Sequence, residues 1–333
     1  MSAAPPGEAL RPLLATAGAA PGRTVAVAAV HHGRRFTACA GPAGRRTRFE
    51  AGSLTKTYTA LLLAVLAAEG RVRLTDPLAR HLPGVPETSP PVTLLHLATH
   101  TSGLPRLPPG LPRRAAPLWF SNPYARFSAG DLERALARVR PRHRPGTRVH
   151  YSNFGVALLG RALAQVTGRP YEEALHRRVL GPLGLTGSDC SPDRPQITGH
   201  WHGRPRPRWL IPGLPAAGAL RLTAADALRS LTLLLDPALA PGAVLRTALA
   251  EVQRPRLVLP RGGHQLCLVW NRRPGPPPHL HHSGATRGCT AFLAFSPERG
   301  TGLAAFTNTS PGPAARFLRT AYGAFLALAR GGP

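Results

Sequence analysis

The chain has 333 residues, with 42 Lys and Arg against 15 Asp and Glu, a net charge of +27. Its 43% hydrophobic share supports a sizeable core and excludes global disorder, and 38 Pro with 35 Gly fall short of a low-complexity composition. The basic excess points to an acidic partner or substrate rather than to specific nucleic-acid binding, because the arginines stand singly or in pairs such as Arg34-Arg35 and Arg177-Arg178, without a long like-charge run.

Taken in chain order, residues 1–10 read as a tail that frays, as do 330–333. Val25–Val30 and Phe36–Ala40 read as strands joined through His31-His32-Gly33-Arg34. Residues 53–69 read as a helix with Ser53 near its start and Gly70 past its end. Leu61, Leu62, Leu63, Val65 and Leu66 cover most of its circumference, which predicts a helix buried within a domain. A loop-rich stretch to about Pro145 carries helices near Leu94–Thr99 and Ala129–Val139. Further helices are expected at Asn153–Thr167, Tyr171–Val179 and Thr223–Leu235, with a Pro- and Arg-rich loop over 190–215. Short runs of β-formers follow at Arg256–Leu259, Gln265–Trp270, Thr290–Phe295 and Gly302–Thr307, and a last helix at Ala314–Leu328.

Strands at both ends of the chain can pair into one antiparallel sheet with the helical middle as an insertion. The expected fold class is therefore α/β (α+β): one domain over 1–333, with a sheet part at about 20–70 and 251–330 and a helical part at about 71–250. The four cysteines, Cys39, Cys190, Cys267 and Cys289, form no CxxC pair and are expected to be reduced and mostly buried. The first 23 residues hold Pro5, Pro6, Pro12 and Pro21 and no apolar leader core, and the longest apolar run, Ala60–Ala68, is too short to span a bilayer. The expectation is a cytoplasmic protein without membrane insertion.

Lys56 is the single lysine among 42 basic residues. Lys loses its proton when desolvated and Arg does not, so the retained Lys draws notice. Ser53 and Lys56 lie three apart, on one helix face, within hydrogen-bond reach. A serine is a poor nucleophile without a neighbouring base, and a Lys buried among leucines has the lowered pKa that lets it accept a proton. The plain alternative is a capping serine beside a solvated lysine.

Two more segments join this one: Tyr151-Ser152-Asn153 opening the second apolar helix, and His282-Ser283-Gly284-Ala285 leading to the strand Thr290–Phe295. In this order they resemble the SxxK, YxN and HxG or KTG motifs of the serine β-lactamase and penicillin-binding-protein superfamily, closest in type to class C β-lactamases and their esterase and peptidase relatives. Flanking text agrees: Leu94-Leu95-His96-Leu97-Ala98-Thr99-His100-Thr101-Ser102-Gly103-Leu104-Pro105 is similar to the family's LLTHTSGLP stretch. The likeness covers roughly residues 20–325. It implies that Ser53 is acylated and that Lys56 helps take its proton. Tyr151 is implied to be partner base and acid, held as or near phenolate by Lys56, and Asn153 to donate to the substrate carbonyl. The N–H groups of Ser53 and Ala285 then form the oxyanion hole, with His282 and Gly284 lining the cleft.

Where the family carries a charged Lys in the third motif, this chain has His282, which favours the esterase, peptidase and transacylase side. The expectation is a serine hydrolase or acyltransferase for a small-molecule or peptide substrate, without cofactor or metal. D-peptidase, β-lactamase and biosynthetic transacylase activities are alternatives, as is a non-catalytic binder on the same fold. His279, His281, His96 and His100 read as structural rather than metal-ligating, Tyr58 as core, Arg287 as surface or anion-facing, and Trp119, Phe120 and Tyr124 as a loop wall.

Overall fold

The computed structural model describes residues 6–18, 22–86, 90–138, 140–260, 262–312 and 315–331. Twelve strands occur among them: β1 (Val25–His31), β2 (Arg34–Ala40), β3 (Arg48–Glu50), β4 (His200–Trp201), β5 (Arg204–Pro205), β6 (Arg221–Thr223), β7 (Leu257–Val258), β8 (Gln265–Leu266), β9 (Asn271–Arg273), β10 (His279–Ala285), β11 (Thr290–Ser296) and β12 (Thr301–Thr307). Eight of them form an antiparallel sheet in the order β2-β1-β12-β11-β10-β9-β8-β7. The two ends of the chain meet at its centre, where Val25 pairs with Thr307 and His31 with Thr301.

The sheet is covered on both faces, so β1 is apolar at every position but its last. Its alternate residues Val25, Val27 and Ala29 face the terminal helices Pro6–Leu14 and Arg316–Arg330, where Leu13 and Phe325 are fully buried. Ala26, Ala28 and Val30 face the other way, into the larger core around the Thr55–Ala68 helix. That helix is buried from Thr55 to Leu66 and packs against the helices Gly242–Glu251 and Pro215–Gly218. Each large apolar side chain so enclosed contributes about 1.5–3 kcal/mol.

The mixed helical and antiparallel architecture matches the expected class. Residues 6–10 do not fray: they begin a helix because Leu10 and Leu13 sit on one face and bury against the sheet. Val139 and Ala314, expected ends of helices, lie outside the described residues, as do residues 1–5 and 332–333. The expected Tyr171–Val179 helix passes from α-helix at Leu175 into a π-helical turn over His176–Leu180. The Gln265–Trp270 run does not stay extended. Val269 takes φ of 68° and Cys267 N–H donates to Trp270 O at 2.9 Å, closing a hairpin into β9. The Gly242–Glu251 helix and strand β10 were not among the elements read from periodicity. The 190–215 loop carries the short β4–β5 hairpin. No helix among the described residues is long and apolar enough to cross a membrane.

Candidate active site

β3 delivers the chain into a turn at Gly52–Leu54 that opens the Thr55–Ala68 helix and places Ser53 at its mouth. Two glycines let this turn meet β10. Gly52 has φ of 51°, and a Cβ there would stand 2.6 Å from the Ala285 nitrogen. At Gly284 a Cβ would stand 2.0 Å from Ala51 O and 2.8 Å from Ser53 N. Nothing larger fits, so the backbones at Ser53 and at Gly284-Ala285 are in direct contact.

One helical turn on, Lys56 is fully buried. Its Nζ donates to Ser53 Oγ at 3.0 Å and to Ala217 O at 2.7 Å. Burial holds the amine well below its usual pKa, and the Arg106 guanidinium lowers it further. No carboxylate reaches it among the described residues. The sole lysine is therefore a buried amine, its pKa lowered by desolvation, set against the serine hydroxyl.

Tyr151 arrives from the segment before the Asn153–Thr167 helix. Ser152 caps that helix by accepting from Gly155 N–H at 2.8 Å, and its own hydroxyl donates to Pro105 O at 2.6 Å. His150 N–H donates to His100 O at 2.8 Å, and the His100 and Tyr151 rings lie 4.6 Å apart. The 100–105 loop thus fixes the tyrosine, whose hydroxyl donates to Ser53 Oγ at 2.7 Å. Burial pushes the Tyr151 pKa up to about 12, against the downward pull of the Ser53 hydrogen bond and Arg106. That favours the phenol, where the resemblance implies a group held as or near phenolate by Lys56.

His282 is 5% exposed, and burial, with Lys56, His100 and His281 beyond it, lowers its pKa to about 3. His100 is likewise lowered to about 3, by burial first. The third motif is therefore neutral at physiological pH. Asn153 lines the same cleft, but its Nδ2 donates to Tyr124 Oη at 2.8 Å while its buried Oδ1 has no partner among the described residues.

These residues border a cleft of about 710 Å3, walled by Trp119, Tyr124, Trp201 and Trp209. The aromatic loop closes over it through two guanidinium contacts: Arg287 donates to Trp119 O at 3.0 Å and Arg206 to Phe120 O at 2.8 Å. Both guanidiniums also stand over the Trp201 ring. Under the floor, Glu50 is buried and ties three segments together. Its Oε1 accepts from Trp209 N–H at 2.7 Å and Gln196 Nε2 at 3.1 Å, and its Oε2 from Thr286 Oγ1 at 2.6 Å.

Sequence reasoning brought Ser53, Lys56, Tyr151, Asn153, His282, Gly284 and Ala285 to one place, and all seven line the cleft or pack directly on it. It read His100 as structural and missed Glu50 and Arg106, which nothing in their spacing marks. Outside the site, Tyr58 is core, its hydroxyl 2.9 Å from Ser230 Oγ. His279 spends its ring nitrogens on Tyr322 Oη and Pro277 O. Cys39 is exposed and the other three thiols are buried, all unpaired.

The family model described as Beta-lactamase matches residues 10–328. The D-alanyl-D-alanine-carboxypeptidase/endopeptidase AmpH of Escherichia coli (strain K12) is 34% identical over 43% of this chain and 37% of its own length. A β-lactamase of Pseudomonas fluorescens is 26% identical over 80% of the chain and 81% of its own length. Penicillin-binding protein 4 of Amycolatopsis lactamdurans is 29% identical over 78% and 72%. The chain thus spans little more than a third of the first of these and most of the other two.

Proposed function

The chain belongs to the β-lactamase family, and from this premise we propose that it is a serine hydrolase of that type, cleaving an ester or amide of a small metabolite or peptide through an acyl intermediate on Ser53. One observation carries the reading: a fully buried amine, whose pKa burial lowers, and a phenol both converge on Ser53 Oγ, at 3.0 and 2.7 Å.

In the proposed reaction Ser53 Oγ attacks the carbonyl while its proton passes to the Lys56 lone pair. Burial lowers the Lys56 pKa, which favours the neutral amine that can accept it. The oxyanion takes the N–H groups of Ser53 and Ala285, worth about 3 kcal/mol each in such sites. Tyr151 then gives its proton to the leaving group and regains one from the Lys56 ammonium, so both groups return to their starting state. Water, or an alcohol or amine acceptor, releases the acyl group. The unpaired Oδ1 of Asn153 is an acceptor for a substrate N–H.

The relatives named for D-alanyl peptides and β-lactams make these the first amides to assay. The neutral His282 favours esters and peptides over β-lactams, since no charge remains in that motif for the lactam carboxylate. A fluorophosphonate probe with peptide mapping tests the proposal. Adduct on Ser53, absent from Ser53→Ala, supports it; unlabelled wild type, or equal labelling of both, overturns it and leaves a ligand-binding protein on the same scaffold.

A further inference from the structure

The cleft holds a fixed positive charge that the proposed reaction does not use. Arg106 follows Leu104-Pro105 in the loop that braces Tyr151, is exposed, and lines the cleft. Its Cζ stands 5.3 Å from the centre of the Tyr151 ring. Among the described residues its guanidinium makes no hydrogen bond or ion pair. Its surroundings offer none, since no Asp or Glu lines the cleft.

The other charges near the reaction are accounted for. Arg287 is spent on Trp119 O and the Trp201 ring. Lys56 and His282 are buried without an anionic partner. The few acids of this chain serve other arginines: Asp131 pairs with Arg114 and Arg134, and Asp189 with Arg48 and Arg194. A guanidinium laid against an aromatic ring keeps its orientation, and its N–H fork matches a carboxylate. Among the described residues its five donors are unengaged, and it lines the same cleft as Ser53.

We propose that Arg106 is the anion-recognising residue of the cleft, and that the substrate is an ester or amide carrying a carboxylate or similar anionic group near the scissile carbonyl. This extends the acyl-Ser53 reading and rests on it. Recognition then falls not to the third motif, where His282 stands, but to the loop that braces Tyr151. A charge-assisted pair at such a half-open site is worth about tenfold in affinity.

The test uses two ester pairs that differ only in charge: 4-acetoxybenzoate against its methyl ester, with the charge on the leaving group, and 4-nitrophenyl hydrogen glutarate against its methyl ester, with the charge on the acyl side. In wild type at low ionic strength, one acid or both is expected to exceed its methyl ester in kcat/KM by about tenfold, through KM. That ratio falls to near one in Arg106→Gln and survives in part in Arg106→Lys. The same preference is read without turnover, by calorimetric binding of each pair to Ser53→Ala and to Ser53→Ala/Arg106→Gln. Preference for neither acid, or a preference unchanged by Arg106→Gln, overturns the assignment. If Ser53→Ala binds the acids selectively through Arg106 while wild type hydrolyses no ester, the anion site stands and the acylation reading falls. Turnover without charge preference means the reverse.

Discussion

Replacing Lys56 by Met separates a proton-accepting amine from an ordinary cation, because the two have opposite signatures in stability. The side chain is fully buried with two hydrogen bonds and no anion. Its pKa in the folded state lies well below the 10.5 of the unfolded chain. Where the folded amine is neutral and the unfolded one charged, the unfolded state binds the extra proton, so wild-type stability rises with pH at about 1.4 kcal/mol per pH unit until the unfolded amine itself deprotonates. Methionine fills most of the volume and does not titrate. Against it stands the loss of the donor to Ala217 O, about 1–3 kcal/mol. The stability of Lys56→Met relative to wild type should therefore be most favourable at low pH and decline by ~2 kcal/mol between about pH 8 and about pH 9.5. Urea unfolding at the two pH values measures it. A difference that stays flat shows that the folded amine is charged, and the proton-acceptor argument fails with it. Fluorophosphonate labelling should disappear in Lys56→Met and in Lys56→Arg, which restores charge but cannot give up its proton.

Acid should act through the buried imidazoles. His100 and His282 have pKa values near 3 when folded, so below about pH 6.5 the unfolded chain takes up their protons first and stability drops by roughly 3 kcal/mol per pH unit for the pair; equal urea midpoints at about pH 7 and about pH 5 would falsify their burial as neutral rings. Gly284→Ala forces a Cβ to 2.0 Å from Ala51 O and should cost more than ~2 kcal/mol or slow labelling at least about tenfold; a variant matching wild type in both would disprove the backbone contact. Tyr151→Phe removes the hydroxyl donated to Ser53 and should slow turnover of any ester found by about 10²-fold or more with an unchanged melting temperature. Wild-type rates in that variant would assign the proton traffic to Lys56 alone.

What the sequence made legible followed from periodicity and from rare residues. The Thr55–Ala68 and Asn153–Thr167 helices carry dense apolar patterns, and the paired ends of the sheet alternate between two cores. Lys56 was conspicuous because every other cation is Arg. Strand β10 is not marked by β-former pattern, since His279, His281, His282, Ser283 and Gly284 carry none; its place is set by pairing with β11 and by the nucleophile turn pressed against it. The Pro6–Leu14 helix was hidden by its prolines and holds because Leu10 and Leu13 find the sheet. The charge of His282 and the ionisation of Tyr151 depend on burial by segments far away in the chain, which no local pattern records. Arg106 is one arginine among 41 until the fold leaves it facing a tyrosine with no acid beside it.

Glu50 gives the cleft a fixed gauge. One carboxylate buttresses both banks, gripping the Trp209 amide on one side and the Thr286 hydroxyl on the other, directly beneath the reacting serine. Girth at that point is decided when the protein folds and does not stretch for a bulkier guest. Adaptation is confined to the outer rim, where Phe120 stands 69% exposed, so discrimination between guests of similar chemistry should fall on what they carry close to the bond that breaks, with their distal ends tolerated.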